Sequence, residues 1–240
     1  MNKKLTPKQR EVNRVVEALT QAIGQHKLRP GTRLIEAQIV EALQANRNHV
    51  QTALQRMAGQ GIVIIEPNYG AMVARPTAKQ AHEVFIARSA IECAIISCIT
   101  PEKMALFAED IARQQHNEHQ SLHAQDRRRI VYELGAFHEL MARIAGNDVL
   151  HGILDNLMIL SSLIVMLYQQ DVSTHCQCDE HKNIITALQA GDTQRAQSLM
   201  RNHLNDLLNQ LNLNSTPANF MTLSQALQKS DSDKTTGYFL

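Results

Sequence analysis

The stretch PGTRLIEAQIVEALQANRNHVQTALQRMAGQGIVIIEPNYGAMV, residues 30–73, decides the fold of the first third of the chain. After an opening Pro-Gly turn, its apolar residues recur at helical spacing and predict a short helix from Glu36 to Leu43. A second helix fits Arg47 to Ala58, with Asn46 as its N-cap. Residues 62–76 then alternate as two short strands around a Pro-Asn-Tyr-Gly turn, which predicts a β-hairpin.

A further helix precedes this stretch. Thr6 and Pro7 form a helix start, because they place an N-cap residue before a proline at the first helical position. Apolar residues then recur at helical spacing from Val12 to Ile23, and Gly24 helps to end the run. Three helices followed by a hairpin are the element order of a winged helix-turn-helix, in which the hairpin is the wing.

The pattern downstream of residue 79 is helical almost throughout, with a weaker helical pattern over 115–124. We therefore predict a mainly α protein: an N-terminal winged helix-turn-helix (the head, residues 1–75), a C-terminal all-α helical bundle (the body, residues 79–212), and a partly disordered extension (residues 213–240) with one short helix near 221–229. The predicted body helices are 79–99, 101–114, 127–145, 148–170, 178–190 and 192–211.

Charge is distributed unevenly between these parts. The 240 residues hold 24 Lys and Arg against 23 Asp and Glu, a net charge of +1. Residues 1–79 carry +7, however, and residues 80–240 carry −6. A basic head on an acidic body is typical of a nucleic-acid-binding module joined to another unit, although a chance fluctuation among solvated charges is the alternative.

Composition restricts the class and the compartment. Aromatic residues make up 4% of the chain and Trp is absent, which favours helices packed through aliphatic side chains over an all-β sandwich. No apolar segment of a secretory signal follows the basic start, and the longest apolar stretch, Ile159–Tyr168, is half of the roughly 20 residues that a membrane span needs. We therefore expect a cytoplasmic protein with no membrane contact.

The first turn of the second helix of a helix-turn-helix reads base edges in the major groove. Arginine suits guanine, and asparagine and glutamine suit adenine. An adjacent arginine can reach phosphate, and a glycine at the wing tip allows close approach to a groove. The predicted DNA contacts are accordingly Arg33, Arg47, Asn48, His49, Gln51, Tyr69 and Gly70. The alternative is a winged helix that binds protein or is purely structural.

Three histidines of the body, His138, His181 and His203, each lie on the apolar side of a different predicted helix. Neutral imidazoles on three inner faces could meet inside a bundle as ligands of a metal ion. Hydrogen-bonded core histidines are the alternative. The stripe of His116, His119 and His123 is predicted to be solvated, and the spacing of Cys176 and Cys178 lacks the paired Cys-x-x-Cys of a structural zinc site.

Residues 30–73 resemble the DNA-binding domain of GntR-family bacterial transcription regulators, and the resemblance implies that Arg47 contacts a base or a phosphate. Members of the family commonly carry Ser, Pro and a second Arg where this chain has Asn46, His49 and Gln51, so the operator sequence of a relative cannot be transferred. The matching residues are Gly31, Leu34, Glu36, Arg47, Val50, Ala53, Leu54, Gly61 and Gly70.

Residues 79–212 resemble the FCD ligand-sensing domain of the FadR-type branch of that family. The resemblance is carried by the five residues Arg88-Ser-Ala-Ile-Glu92, by Phe137-His138 before Gly146-Asn147, by Glu180-His181, and by residues 187–204. It implies that His138, His181 and His203 bind a divalent metal, often zinc or nickel, at the floor of an effector pocket for a small carboxylate or sugar acid.

One ligand of the family is missing. The family's Asp one turn before the first histidine is Leu134 here, and leucine cannot coordinate a metal. Three histidines could still hold a zinc-like ion and leave a position open for water or an effector carboxylate, while a pocket without metal is the alternative. Arg88 is predicted either to clamp an effector carboxylate or to pair with Glu92 at i,i+4.

The function that these features predict is a homodimeric, effector-responsive transcription regulator, a repressor of a catabolic operon, and not an enzyme. Each head would read half of a near-palindromic operator in double-stranded DNA. The alternative is a metal-dependent enzyme with an appended winged-helix module, for which the sequence offers no identifiable general base, nucleophile elbow or P-loop.

Overall fold

The computed structural model describes residues 6–25, 27–123, 127–169 and 175–214. The predicted C-terminal helix and the side chain of Cys176 lie outside the described residues. The elements of the head are α1 (Pro7–Gly24), β1 (Arg33–Leu34), α2 (Glu36–Leu43), α3 (Arg47–Gly59), β2 (Val63–Glu66) and β3 (Gly70–Val73).

Capping residues set the starts of α1 and α3 as the sequence predicted. The Thr6 hydroxyl accepts a hydrogen bond from Gln9 N, and the Gln9 side chain accepts one from Thr6 N, which completes a capping box. The Asn46 side chain accepts from Asn48 N at 2.8 Å and starts α3. Satisfied N-termini fix where α1 and α3 begin.

The wing is a hairpin with one additional strand. β2 and β3 pair antiparallel with Ile64 opposite Met72, and β1 pairs with the other edge of β3, which gives the order β1-β3-β2. The sequence predicted only a turn around Arg33–Leu34, because two residues are too few to show strand alternation. The turn between β2 and β3 places Asn68 and Gly70 at positive φ, a backbone conformation that glycine and asparagine tolerate best.

The body contains seven described helices, and their arrangement confirms the predicted fold class of a helical bundle behind a winged helix. They are α4 (Ala78–Ser97), α5 (Pro101–Leu106), α6 (Ala108–His123), α7 (Arg127–Ala145), α8 (Asp148–Tyr168), α9 (His175–Gln189) and α10 (Thr193–Asn209). Thr100 and Asp192 cap α5 and α10 through their side chains.

Two predicted body elements were wrong in their bounds. The chain breaks at Phe107 instead of running as one helix over 101–114, and α6 continues to His123. The inner face of α6 was hard to recognise because it buries Glu118 and Ser121 along with Ile111. α9 also begins three residues earlier than predicted, at His175.

Helix α8 is the central element and contacts both parts of the chain. It packs on α4 and α7 in the body and on α1 in the head. Its Leu163 is fully buried in the hydrophobic core of the head, together with α1 and α3 residues such as Val15 and Met57. Among the described residues, α8 is also the one helix long and apolar enough to cross a membrane by length and composition.

Candidate nucleic-acid interface and metal centre

The predicted DNA-contacting residues lie at the surface of the head. Arg47, Asn48 and Gln51 are exposed at the start of α3, and His49 is half-buried there. The opposite side of α3 buries apolar residues, which fixes the exposed side outward. Arg33 on β1 and the wing-tip residues Tyr69 and Gly70 are exposed as well.

One carboxylate organises the start of α3. Glu36 Oε2 accepts from Arg47 Nε at 3.1 Å and from Gln51 Nε2 at 2.9 Å. The Arg47 side chain remains 75% exposed, so this ion pair is weak in water and holds the side chain without burying it. Glu36 at the start of α2 therefore orients two of the predicted base contacts towards each other.

The three predicted metal ligands come together inside the body. His138 on α7, His181 on α9 and His203 on α10 are each at most 3% exposed, and one nitrogen from each ring lies within 4.8 Å of the others. His181 Nε2 and His203 Nε2 are 3.3 Å apart. We call these three residues the histidine cluster.

A carboxylate holds the other nitrogen of each ring. Nδ1 of His138 donates to Glu92 Oε2 at 2.5 Å, and Nδ1 of His203 donates to Glu180 Oε2 at 2.7 Å. Nδ1 of His181 lies 2.8 Å from Glu118 Oε1. Proteins fix metal-binding histidines in this way, because the Nδ1 bond sets the ring orientation and leaves the Nε2 lone pair for the ion.

Burial keeps the rings of His138 and His181 neutral. It lowers the pKa of His138 to about 3, against the opposing effect of Glu92, and lowers the pKa of His181 well below its usual value. Burial would raise the pKa of Glu92, but the Arg88 guanidinium and His138 bring it down to about 2. Burial raises the pKa of Glu118 to about 8, although the Gln114 amide lowers it. A cation held by the cluster would favour the ionised form of Glu118.

The donor set fits a divalent transition metal. Two imidazole nitrogens at roughly 2.0–2.1 Å from a tetrahedral zinc ion are about 3.3–3.4 Å apart. The His181–His203 nitrogen distance of 3.3 Å agrees with that geometry. Leu134 lies one turn before His138, is buried, and lines the same cavity, so that position adds an apolar surface where the family has a carboxylate.

The cluster opens on a cavity of about 420 Å³, a volume suited to a small molecule. Arg88 on α4 lines this cavity, and its guanidinium is almost fully buried. Its Nε donates to Glu92 Oε1 at 2.8 Å and one terminal nitrogen donates to Ser161 Oγ at 2.8 Å. The second terminal nitrogen has no partner among the described residues. Arg88 is therefore the i,i+4 partner of Glu92 and also presents an unsatisfied donor, which an anion would satisfy.

A second polar group lies at the cavity. Glu139 and Asp155 both line it, and His151 Nε2 lies 3.1 Å from Glu139 and 3.3 Å from Asp155. Burial and the nearby Asp155 raise the pKa of Glu139 to about 7. The lining of the cavity thus includes a cationic donor, Arg88, and two carboxyl groups, Glu139 and Asp155.

Sequence reasoning missed the carboxylates of the cluster. Glu118 lies 63 residues from His181 along the chain, and Glu92 lies 46 residues from His138. Glu180 could have been identified from the sequence, because it directly precedes His181 in the Glu180-His181 motif. The buried position of Glu118 on a polar helix was the remaining signal, and it becomes visible only once α6 packs on α7 and α9.

Comparison with known proteins gives consistent matches over both parts. The model for "Bacterial regulatory proteins, gntR family" matches residues 11–73, and the model for "FCD domain" matches residues 83–206. The chain is 26% identical over 208 residues to the HTH-type transcriptional repressor RspR of Escherichia coli (strain K12), which covers 85% of this chain and 90% of that protein.

Further relatives agree. The chain is 24% identical to the "Probable D-xylose utilization operon transcriptional repressor" of Paenarthrobacter nicotinovorans, over 80% of this chain and 84% of that protein. The solved structure of a GntR regulator from Rhodococcus sp. RHA1 superposes with a TM-score of 0.70 at 26% identity, covering 83% of this chain and 96% of that chain.

Proposed function

The chain belongs to the GntR family of bacterial regulatory proteins and carries an FCD domain. On this basis we propose that it is a homodimeric repressor of a catabolic operon, and that binding of a small organic acid releases the repressor from DNA. One observation carries the proposal. The buried histidine cluster and Arg88, which has one terminal nitrogen without a partner among the described residues, line the same cavity. A metal ion and a guanidinium on one cavity are suited to a carboxylate.

We assign DNA binding to the head. Arg47, Asn48, His49 and Gln51 at the start of α3 are the base contacts, Arg33 is a phosphate contact, and Tyr69 with Gly70 enters a groove from the wing. The exposure of these side chains and the +7 charge of residues 1–79 support this assignment. Two heads related by two-fold symmetry would read a near-palindromic site.

We assign a divalent ion, zinc or nickel, to the histidine cluster. His138, His181 and His203 would hold it, and Glu92, Glu118 and Glu180 would orient the three rings. When bound, the ion would act as a Lewis acid, and an effector carboxylate could complete its coordination shell. With Leu134 in place of a fourth protein ligand, a coordination position stays open for the effector.

The lining favours a sugar acid over a bare dicarboxylate. Arg88 offers a donor to the acid group, whereas Glu139 and Asp155 offer acceptors. Hydroxyl groups can donate to those acceptors, and a second carboxylate beside them would be repelled. A hydroxylated acid therefore matches the charges of the cavity.

The similar proteins support a metal-dependent enzyme less well than a regulator, since the matching relatives are named as transcriptional repressors. Turnover of candidate acids by the metal-loaded protein would be the observation in its favour. We further propose that the protein acts in the cytoplasm and that its two units follow the predicted boundaries, residues 1–75 and 79–212, with residues 213–240 as an extension.

Selection of bound fragments from the genome of the source organism, followed by footprinting, tests the DNA assignment. We expect a protected near-palindrome, and we expect the Arg47→Ala variant to lose that protection. A wild-type protein that binds all fragments equally would contradict the repressor function, and Arg47→Ala binding like the wild type would contradict the contact assignment.

Metal analysis and thermal shift test the cavity. The purified protein should carry about one zinc or nickel ion per chain, and His181→Ala should carry none. D-gluconate should then raise the melting temperature of the zinc-loaded protein more than succinate does. Absence of zinc uptake by the wild type would overturn the metal assignment, and a larger shift with succinate would overturn the sugar-acid assignment.

A further inference from the structure

The wall of the cavity includes the DNA-binding head. Thr20 and Gly24, one helical turn apart on α1, line the same cavity as Arg88 and the histidine cluster. The other lining residues belong to the body helices α4, α7, α8, α9 and α10, apart from Gln169, which directly follows α8. The space in which an effector would lie is therefore bounded by both parts of the chain.

The α1 contact with the body is made through α8, beside the cavity. Ile159 of α8 lines the cavity and also packs against the hydrophobic core of the head. Leu163, one turn further along α8, is fully buried in that core. A molecule in the cavity thus lies next to the residues that attach α1 to α8.

Gly24 leaves part of this space open. A Cβ atom built at Gly24 meets no atom of the described residues within 4 Å, so none of their side chains fills the volume directly beside this end of α1. Thr20 adds a hydroxyl group to the same wall. An occupant with hydroxyl groups would contact α1 through these two residues.

Movement of α1 would directly displace α3, the helix that carries the predicted base contacts. α1 packs on α3 through the buried face that contains Val12 and Val15. Arg56 near the end of α3 donates to the Asn13 side chain on α1 at 2.7 Å. Since α3 carries the predicted base contacts, a shift of α1 relative to α8 reorients them.

We propose that α1 of the DNA-binding head is a wall of the effector site, so that the bound acid contacts Thr20 and Gly24 and sets the α1–α8 contact itself. The inference rests on the proposed function and goes further, because it gives the effector contacts in the head as well as in the body. Coupling between acid and DNA would then need no relay through the outer helices of the bundle.

The test uses the absence of tryptophan from the chain. In the full-length, zinc-loaded protein, Gly24→Trp places a single indole where the effector would meet α1. Gly152→Trp is the matched control, because Gly152 is an exposed helical glycine with no atom within 4 Å of a built Cβ and no part in the cavity. Fluorescence emission reports the environment of each indole, and anisotropy with a labelled operator reports DNA affinity.

We expect the indole of Gly24→Trp to emit as a buried side chain and operator affinity to fall about tenfold or more, a change typical of coupled sites. Gly152→Trp should emit as an exposed indole and bind the operator within about twofold of the wild type. Zinc content should match the wild type in both. Solvent-exposed emission from Gly24→Trp, or buried emission with unchanged operator affinity, would overturn the inference.

If Gly24→Trp does not fold, Thr20→Trp makes the same test from the adjacent turn of the same wall. Different results contradict the proposed function and the role of α1. A wild-type protein without an operator contradicts the proposed function, whereas a wild type that binds its operator beside an unaffected Gly24→Trp or Thr20→Trp contradicts only the wall formed by α1.

Discussion

At the scale of single residues, Leu134 is the position where this chain departs most clearly from a complete metal site. It is buried, lines the cavity and precedes His138 by one turn. Its neighbours supply three imidazoles whose free nitrogens already converge. The chain therefore has three of the proposed metal ligands and lacks the fourth, and that position can be filled by substitution.

We expect Leu134→Asp to bind zinc about tenfold or more tightly than the wild type, because it adds an anionic ligand to a preformed site. The metal-free variant should be less stable than the wild type, since it buries a carboxylate. Competition titration with a zinc indicator measures the affinity. Leu134→Asn, of the same size without the charge, is the control, and equal affinities of the two variants would contradict a coordinating role.

The buried histidines also predict how the metal-free protein responds to acid. The pKa of His138 is about 3 in the folded protein and about 6.5 when exposed. Between these values the unfolded chain binds a proton at this residue that the folded chain does not, so the contribution of His138 to stability is lost as pH falls from about 6.5 towards 3. Glu92, with its pKa of about 2, adds a further loss below about 4.5.

Urea denaturation in EDTA at a series of pH values measures this loss, which is at most about 1.4 kcal/mol per pH unit for one proton. The His138→Asn variant lacks this contribution, so the wild type should lose more stability than the variant between pH 6.5 and 4.5, whatever Glu118 and Glu139 add in both proteins. An equal pH dependence of the two proteins would contradict a buried, neutral His138.

At the scale of elements, capping residues and apolar helix faces were enough to predict most helices. The elements that were missed or given wrong bounds lack a clear apolar pattern in the sequence. β1 is too short to show a pattern, and α6 places Glu118 and Ser121 where a helix ordinarily buries apolar side chains. The same polar inner face holds His181. The polar residue that contacts the histidine cluster, Glu118, stands where an apolar residue would have marked the inner face of α6. The full extent of α6 was therefore hard to predict from the sequence.

The meeting of the three histidines was predictable from the sequence, and their surroundings were not. His138, His181 and His203 each lie on an apolar helix face, which a sequence shows. Their carboxylate partners and the α1 wall depend on how helices pack, and that packing joins residues far apart in the chain.

The N-cap of α3 should carry a measurable share of head stability. The Asn46 side chain satisfies the amide of Asn48, and Asn46→Ala removes that bond at a cost of about 1 kcal/mol. Asn46→Ser retains a capping oxygen and should stay near the wild-type stability. Thermal denaturation followed by circular dichroism compares the three proteins, and equal melting temperatures for Asn46→Ala and Asn46→Ser would contradict the cap.

At the scale of the whole molecule, the charge asymmetry predicts where salt acts. The head carries the positive charge, and each phosphate contact that it makes releases counterions from DNA. Operator affinity should therefore fall steeply with salt. Arg33→Ala should reduce the slope of log affinity against log salt by about one for each phosphate contact removed.

Lys182→Ala is the control for that measurement, because Lys182 is an exposed cation of the body on α9. Its operator affinity should depend on salt as the wild type does. A reduced slope in Lys182→Ala would place DNA on the body, and an unchanged slope in Arg33→Ala would remove Arg33 from the phosphate contacts.

The burial of Leu163 in the core of the head has a consequence for how such proteins can be recombined. A head cut from this chain would lose a core residue that only α8 supplies, along with the packing of Ile159 and Leu160. Exchange of heads between relatives would leave a mismatched core unless that face of α8 is exchanged too. The unit that is inherited intact is therefore the head together with one face of a body helix, although the two are about 90 residues apart in the chain.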